Sequence, residues 1–254
     1  MKTEILYEDN SILVVRKPAG LAVQSAGIGQ PDVVSELKSY LAKLPGAGRT
    51  GKGEPYLGIV HRLDQPVEGL LVFAKDKKAA AALSKQLTEG ALNKHYYAVL
   101  CGYPDCPEGD LVDYLRKEGN VAVAVTGREQ EFADAKIAAL HYRILEEIND
   151  PSPLALADVT IGTGRFHQIR VQFAHAGFPL FGDTKYGTAV LKEAMPAQKY
   201  RGVALCAYSL ELVHPVSGKK MGFRVVPKNP AFAGFAMEEL KKLTENETGI
   251  SKRG

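Results

Sequence analysis

Three ionisable side chains, His61, Arg62 and Asp64, lie close together in the segment GIVHRLDQPVEGLLVFAK (58–75). Apolar residues precede them and a longer apolar run follows, so these polar groups stand at the ends of two predicted buried strands. Burying a charge is costly unless it is paired. The pattern is therefore typical either of a structural ion pair or of a carboxylate directed into a cleft for chemistry.

A second segment, GTGRFHQIRVQFAHAGFPLFGDTKYG (162–187), places two glycines and Arg165 directly before a predicted helix. Backbone N–H groups at such a helix start can hold an anion. The segment is not a dinucleotide-binding fingerprint, because the third glycine is missing. On the helix, Arg170 shares a face with Ala174 and lies beside an apolar flank. It is directed either inward to a partner or outward to solvent.

Other kinds of site find little support in the sequence. His61, His167, His175 and Asp64 do not have the spacing of a zinc site, and no H-x-x-x-H or H-E-x-x-H pattern occurs. No serine stands in a G-x-S-x-G frame. A glycosidase needs two facing carboxylates, for which Asp64 and Glu68 are the candidates near the first segment. We therefore predict no metal site.

Composition sets the class of protein. The 254 residues are 45% hydrophobic and 24% charged, with a net charge of +3, which is typical of a globular chain and permits a polyanionic partner without requiring one. The apolar runs are too short for a membrane span, and the polar N-terminus leads us to expect no signal peptide. Three cysteines without a C-x-x-C pair predict reduced thiols in a cytoplasmic protein.

Hydrophobic periodicity, turn residues and capping residues predict the elements that must position these side chains. A stretch at 103–135 is polar and predicted to be irregular, with a hairpin near 120–126. We expect strands at 4–8, 12–17, 69–75, 94–102, 138–148, 154–162, 204–215 and 222–227, and helices at 32–44, 77–89, 167–176 and 229–243. Few helices without regular βαβ alternation predict an α+β fold. No linker divides the chain, so we expect one domain over 1–244 and a frayed tail over 245–254.

Taken together, these segments resemble the RluA-type pseudouridine synthases. The resemblance covers nearly the whole chain, from ILYEDNSILVVRKPAGLAV (5–23) to LELVHPVSGK (210–219). Its most specific parts follow one another in the family's order and spacing: HRLD (61–64) with Gly69 and LLVFAK (70–75), KHYYAVLCG (94–102), GRFHQIRVQFAHAGFPLFGDTKYG (164–187) and HPVSGK (214–219).

The resemblance implies a mixed, largely antiparallel central sheet with flanking helices, a central RNA-binding cleft and cofactor-free chemistry. It implies that Asp64 is the catalytic carboxylate, that Arg170 pairs with it and that Arg62 helps to extrude the target nucleotide. It also implies that Tyr96 stacks on the target base and accepts the proton from C5. Tyr97 is the positional rival of Tyr96, because neighbouring strand residues face opposite sides.

The chain departs from the family pattern at three points. Val67 and Glu68 stand where relatives usually carry Thr-Ser, Phe166 replaces a common threonine or serine, and Arg16 replaces a frequent asparagine. We expect these departures to affect substrate choice. Many relatives also carry an N-terminal S4 domain, and because the first predicted strand starts at Ile5 we expect none here.

We therefore expect a monomeric, cytoplasmic RNA pseudouridine synthase that acts on structured ribosomal or transfer RNA and needs neither membrane nor metal. Catalysis is assigned to Asp64, Tyr96 and Arg170. RNA binding is assigned to Arg62, His61, Lys17, Arg165 and His167, and further phosphate contacts to Arg49, Lys52 and Lys185. The rivals are a non-catalytic RNA-binding relative that retains the cleft, and a glycoside- or nucleoside-processing hydrolase.

Overall fold

The computed structural model describes residues 1–25, 27, 29–44, 53–126, 134–149, 152–187 and 202–236. They form two compact units, each assembled from segments that are distant in sequence. The first unit contains Met1–Lys94 and Ala207–Pro227, and the second contains His95–Cys206 and Lys228–Ala236. The predicted tail at 245–254 lies outside the described residues, and the single domain over 1–244 stays a prediction.

Eleven strands and three α-helices follow one another along the described chain. In order they are β1 (Glu4–Glu8), β2 (Ile12–Lys17), α1 (Val33–Leu41), β3 (Gly58–Ile59), β4 (Glu68–Ala74), α2 (Lys77–Thr88), β5 (Asn93–Cys101), β6 (Glu108–Glu118), β7 (Val121–Val125), β8 (Lys136–Ile148), β9 (Leu154–Ile161), α3 (Gln168–His175), β10 (Leu205–Val213) and β11 (Lys220–Arg224).

The first unit is built on the strand order β1-β2-β4-β10, with β3 added to β4 and β11 added to β10. Strands β2 and β4 are antiparallel and buried along their whole length, which explains their nearly continuous apolar sequences. Both helices of this unit begin close to the predicted positions, and each has an aspartate cap. The Asp32 carboxylate accepts from Ser35 N at 2.7 Å, and that of Asp76 accepts from Ala79 N at 2.8 Å.

The second unit is built on the antiparallel order β5-β9-β8-β6-β7, with α3 packed on one face. The rings of Tyr142 on β8 and Phe173 on α3 meet edge to face at 5.6 Å between centroids. The buried Gln172 side chain donates to the carbonyls of Leu111 and Ala138 at 3.0 and 3.2 Å. These contacts fix the helix over strands β6 and β8. The α+β class with a mostly antiparallel sheet is confirmed.

Two predicted segments differ from the structure. The sequence predicts a largely irregular stretch at 103–135, but this stretch contains the eleven-residue strand β6, which pairs with both β7 and β8. The sequence predicts a final helix at 229–243, but the described residues 229–236 contain only a short 3₁₀ helix at Pro230–Phe232, capped by Asn229 and followed by turns. Residues beyond 236 lie outside the described part of the chain.

The three cysteines are free. Cys101 and Cys206 are buried, whereas Cys106 is exposed just ahead of β6. Within the residues that the structure describes, no helix is both long and apolar enough to cross a membrane.

Candidate active site

The segment His61–Asp64 forms a connection between β3 and β4 in the first unit. Leu63 and Val67 are buried and anchor it, whereas Arg62 is exposed and Asp64 is half-buried. The Asp64 carbonyl accepts from Val67 N at 3.1 Å, which closes a turn directly before β4. The chain therefore holds the Asp64 side chain on a short, anchored turn at the edge of the core.

Lys17 supports this turn from the end of β2. Its side chain is fully buried, and its ammonium donates to the carbonyls of Pro18, Leu21 and Gln65 at 3.0, 2.7 and 3.0 Å. Gly20 N also donates to the Gln65 carbonyl at 2.8 Å. These bonds join the turn after β2 to the turn that carries Asp64. The geometry favours a positioning role for Lys17 over the RNA contact that the sequence predicts.

The burial of Lys17 changes the pKa of its ammonium group. Burial lowers the pKa of Lys17 to about 7, although the carboxylates of Asp64 and Glu68 favour its charged form. The negative charge of Asp64 thus acts on an ammonium that is itself held by three backbone carbonyls. Within the first unit, the structure thus couples the predicted site residue Lys17 to Asp64.

His61 plays a different part from its neighbours. Its Nε2 accepts from Val72 N at 3.2 Å, in a buried position beside β4. Burial lowers the pKa of His61 to about 3, and the positive charge of Lys94 adds to this effect. The imidazole is therefore neutral at physiological pH. It ties the connecting segment to the strand through this hydrogen bond and does not take up a proton.

Two departures from the family pattern meet in the first unit. The Arg16 guanidinium and the Glu68 carboxylate form an ion pair at 3.3 Å, and both side chains are buried. Arg16 Nη2 also donates to the Val226 carbonyl at 2.7 Å. The unexpected acid at position 68 is thus compensated by the unexpected arginine at position 16.

The next residue, Gly69, lets the backbone at the start of β4 lie directly against β10. Its φ is +128°, and a Cβ there would lie within 2.5 Å of Ala207 N and closer still to the Ala207 carbonyl oxygen. Only glycine fits this position without moving the backbone.

In the second unit, Tyr96 and Tyr97 lie on β5 and face opposite sides of the sheet, as strand geometry requires. Tyr96 pairs with Val159, which pairs in turn with Tyr142 on the face covered by α3. Tyr97 pairs with Asp158 on the other face. Tyr96 and Arg170 therefore belong to the same side of this unit.

Arg170 is buried on α3 and held by Asp183. Its Nε and Nη2 donate to the two carboxylate oxygens of Asp183 at 2.7 and 2.9 Å. Asp183 is itself fully buried and accepts from Lys185 N and Tyr186 N at 3.0 and 3.3 Å. This bidentate pair fixes the orientation of the guanidinium. Sequence reasoning missed Asp183, although an acid directly after the apolar run LFG is a signal that could have been used.

The turn before α3 carries Arg165 and His167. Arg165 N donates to Gln168 Oε1 at 3.0 Å, so this N–H is engaged within the protein rather than with an anion. The Arg165 side chain donates from Nε to the Ile137 carbonyl at 2.8 Å. His167 adopts a left-handed φ of 55°, and its Nδ1 lies 2.5 Å from the Tyr186 hydroxyl.

The predicted site residues thus form two groups, one in each unit. The first comprises Lys17, His61, Arg62 and Asp64, and the second comprises Tyr96, Arg165, His167 and Arg170. Lys185 lies in the second unit and donates to the Asn120 carbonyl at 2.7 Å, whereas Arg49 and Lys52 lie outside the described residues. No group of three or more His, Cys, Asp or Glu side chains in the described ranges could hold a metal ion.

Comparison with known proteins decides the family. The family model described as RNA pseudouridylate synthase matches residues 11–175, which include the Asp64 turn, β5 and α3. The chain belongs to the RNA pseudouridylate synthase family. This membership confirms the predicted RluA-type resemblance and the predicted class of enzyme, an RNA pseudouridine synthase.

Curated relatives agree with the family. The chain is 35% identical over 229 residues to the ribosomal large subunit pseudouridine synthase D of Zymomonas mobilis, with 87% of this chain and 68% of the relative covered. It is 38% identical over 226 residues to an uncharacterized RNA pseudouridine synthase of Synechocystis, with 85% of this chain and 63% of that relative covered. The chain therefore spans about two thirds of the length of these two relatives.

Solved structures support the fold. The human RNA pseudouridylate synthase domain containing 1 matches with a TM-score of 0.71 and 19% identity, covering 99% of this chain and 97% of its own. The human RNA pseudouridylate synthase domain containing 4 matches with a TM-score of 0.68 and 24% identity, covering 94% and 93%.

Proposed function

We propose that this chain isomerises uridine to pseudouridine in large-subunit ribosomal RNA, with Asp64 as the catalytic carboxylate. The observation that carries the proposal is the anchored turn between β3 and β4, which holds a half-buried aspartate beside an exposed arginine. The choice of RNA is supported by relatives that are named ribosomal large subunit pseudouridine synthases.

The reaction requires little besides a carboxylate and a positioned base. The N1–C1′ bond of uridine breaks, a C5–C1′ bond forms, C5 loses its proton and N1 gains one. Asp64 either attacks C1′ or removes the 2′ proton, and both routes need its carboxylate ionised. Lys17 acts as a positioning residue, because its three carbonyl bonds hold the turn that presents Asp64.

The remaining residues handle the nucleotide. Turning a base out of folded RNA costs a few kcal/mol, and stacking on an aromatic side chain contributes about 1–3 kcal/mol in return. We assign this stacking to Tyr96 and the acceptance of the C5 proton to its hydroxyl. We assign Arg62, which is exposed on the Asp64 turn, to extrusion of the nucleotide. We assign to Arg170, whose orientation Asp183 fixes, the role of pairing with the catalytic carboxylate.

Tritium release from RNA labelled at C5 of uridine tests the proposal, because each isomerisation releases the C5 label. We expect wild-type protein to release tritium from a large-subunit ribosomal transcript, and Asp64→Asn to reduce the rate on the order of a thousandfold or more. Asp76→Asn is a matched control, since it makes the same change at another half-buried aspartate, and asparagine is an equally good helix cap.

Two other results would refute parts of the proposal. Release from a transfer RNA pool but not from the ribosomal transcript would overturn the choice of RNA. No release from either by wild-type protein that still binds them would favour a non-catalytic RNA-binding relative.

A further inference from the structure

Phe166 is the one exposed phenylalanine or tyrosine in the described part of the chain, with 40% of its surface accessible. It lies in the turn before α3, where the family commonly has a small hydroxyl residue. A single exposed apolar side chain is ordinary on a protein surface, whereas contiguous exposed apolar surface often marks a binding site. The case for a binding role therefore rests on the groups that surround the ring.

The surroundings of the ring suit a nucleotide. The Phe166 ring stacks on the His167 ring at 3.8 Å between centroids and an interplanar angle of 22°. The Lys117 ammonium lies 4.9 Å from the Phe166 centroid. Lys117 reaches this place because it follows Leu115 on β6 by two residues, which puts it on the face that packs against α3.

This arrangement is held in place by several contacts. The Tyr186 hydroxyl lies 2.5 Å from His167 Nδ1 and accepts from Ala122 N on β7 at 2.8 Å. The Lys185 ammonium donates to the Asn120 carbonyl in the turn between β6 and β7. The hairpin that carries Lys117 is thus tied to the residues beside Phe166, so a ligand would find the ring already positioned. Preorganisation of this kind lowers the entropy lost on binding.

We propose that Phe166 and Lys117 form a second nucleotide-binding position, on which an RNA base other than the target uridine stacks. The Lys117 ammonium, which now lies near the ring, turns to the phosphate of that nucleotide. An exposed cation–π contact is weak, so the base can take its place. This inference rests on the proposed function, because it assigns the target base to Tyr96 and takes the substrate to be RNA.

Binding of a large-subunit ribosomal transcript tests the inference in the Asp64→Asn background, where the RNA is not turned over. We expect Phe166→Ala to raise the Kd about 5- to 150-fold, the range that aromatic–base stacking gives on truncation. Phe166→Tyr keeps the ring and should bind within about twofold of the parent. Leu145→Ala is the control, since it removes another exposed apolar side chain from the same unit and should leave the Kd unchanged.

Two further measurements separate binding from folding. Phe166→Leu keeps an apolar side chain of similar size against His167 but has no aromatic face, so it should bind weakly while retaining the melting temperature. In the active background, Phe166→Ala should raise KM and leave kcat within about twofold, as expected for an interaction made equally in ground and transition states.

The inference is overturned if Phe166→Ala or Phe166→Leu binds the transcript as tightly as the parent, or if Leu145→Ala weakens binding as much. Failure of the proposed function has a different signature, namely no tritium release by the wild-type protein. If the wild-type protein releases no tritium, weaker RNA binding by Phe166→Ala would still show that Phe166 belongs to a nucleotide-binding position.

Discussion

His61 illustrates how one buried side chain can make stability depend on pH. Its pKa is about 3 in the folded protein and 6.5 in the unfolded chain. Below pH 6.5 the unfolded chain therefore binds a proton that the folded protein does not, and the free energy of unfolding falls as the pH falls toward 3. From this group alone we expect a loss of about 2 kcal/mol between pH 7 and pH 5.

Urea unfolding of wild type and His61→Gln at these two pH values measures the effect. Glutamine does not titrate, so the variant should lose less stability than wild type on acidification, whatever its stability at pH 7. Equal losses in the two proteins would show that His61 does not remain neutral on folding.

Single residues also show how far sequence reasoning reached into the site. The segments around Asp64 and Arg170 stood out because charged groups interrupt apolar runs, a property that is local in sequence. Asp183, the partner of Arg170, could not be recognised in this way, because it is thirteen residues away and contacts Arg170 only in the folded chain. The burial of Lys17 was equally hidden, since two of its three carbonyl acceptors lie in its own turn but the third comes from Gln65.

At the scale of elements, the Arg16–Glu68 pair links β2 to the start of β4. Removing one member of a buried pair leaves an unpaired charge and costs about 3–5 kcal/mol. We expect Arg16→Asn and Glu68→Ser each to destabilise the protein by such an amount, and the double variant to be much less destabilised than their sum. The coupling should exceed about 2 kcal/mol, although the bond from Arg16 to Val226 is lost in the double variant as well.

A double-mutant cycle by urea unfolding gives this coupling. The exposed pair Lys85–Glu89 on the end of α2, at 3.7 Å, is a suitable control and should couple by less than about 0.5 kcal/mol. Additive losses at positions 16 and 68 would mean that the two departures from the family pattern are independent.

The elements themselves were predicted unequally well. Strands β1 and β2 follow from the turn residues between them, α1 from its apolar stripe and α2 from its Asp76 cap. Strand β6 was obscured because polar residues such as Asp113 and Lys117 lie on its α3 face. There they are accommodated by long-range contacts, for example the bond from Gln172 to Asp113 at 2.8 Å. Such contacts leave no trace in a local sequence pattern.

At the scale of the whole molecule, the net charge of +3 is too small to bind RNA without clustering. The second unit places Lys117, Arg165 and Lys185 around the turn before α3 and the β6–β7 hairpin. If each neutralises one phosphate, these three side chains together contribute about −2 to −3 to the slope of log association constant against log KCl concentration.

Titrations at several KCl concentrations measure this slope. Lys117→Gln should make it shallower by about 0.7 to 0.9, whereas Lys85→Gln, which changes an exposed lysine on α2, should leave it as in wild type. Binding that does not depend on salt would exclude this cluster as a phosphate-binding surface.

The exposure of Cys106 has a practical consequence. Cys101 and Cys206 are buried, and burial raises the pKa of the Cys101 thiol to about 11, so that it stays in the unreactive protonated form at neutral pH. A maleimide dye should therefore attach at a single natural position, directly ahead of β6. Cys106 of the unaltered protein can therefore carry a fluorescent label for titration with RNA.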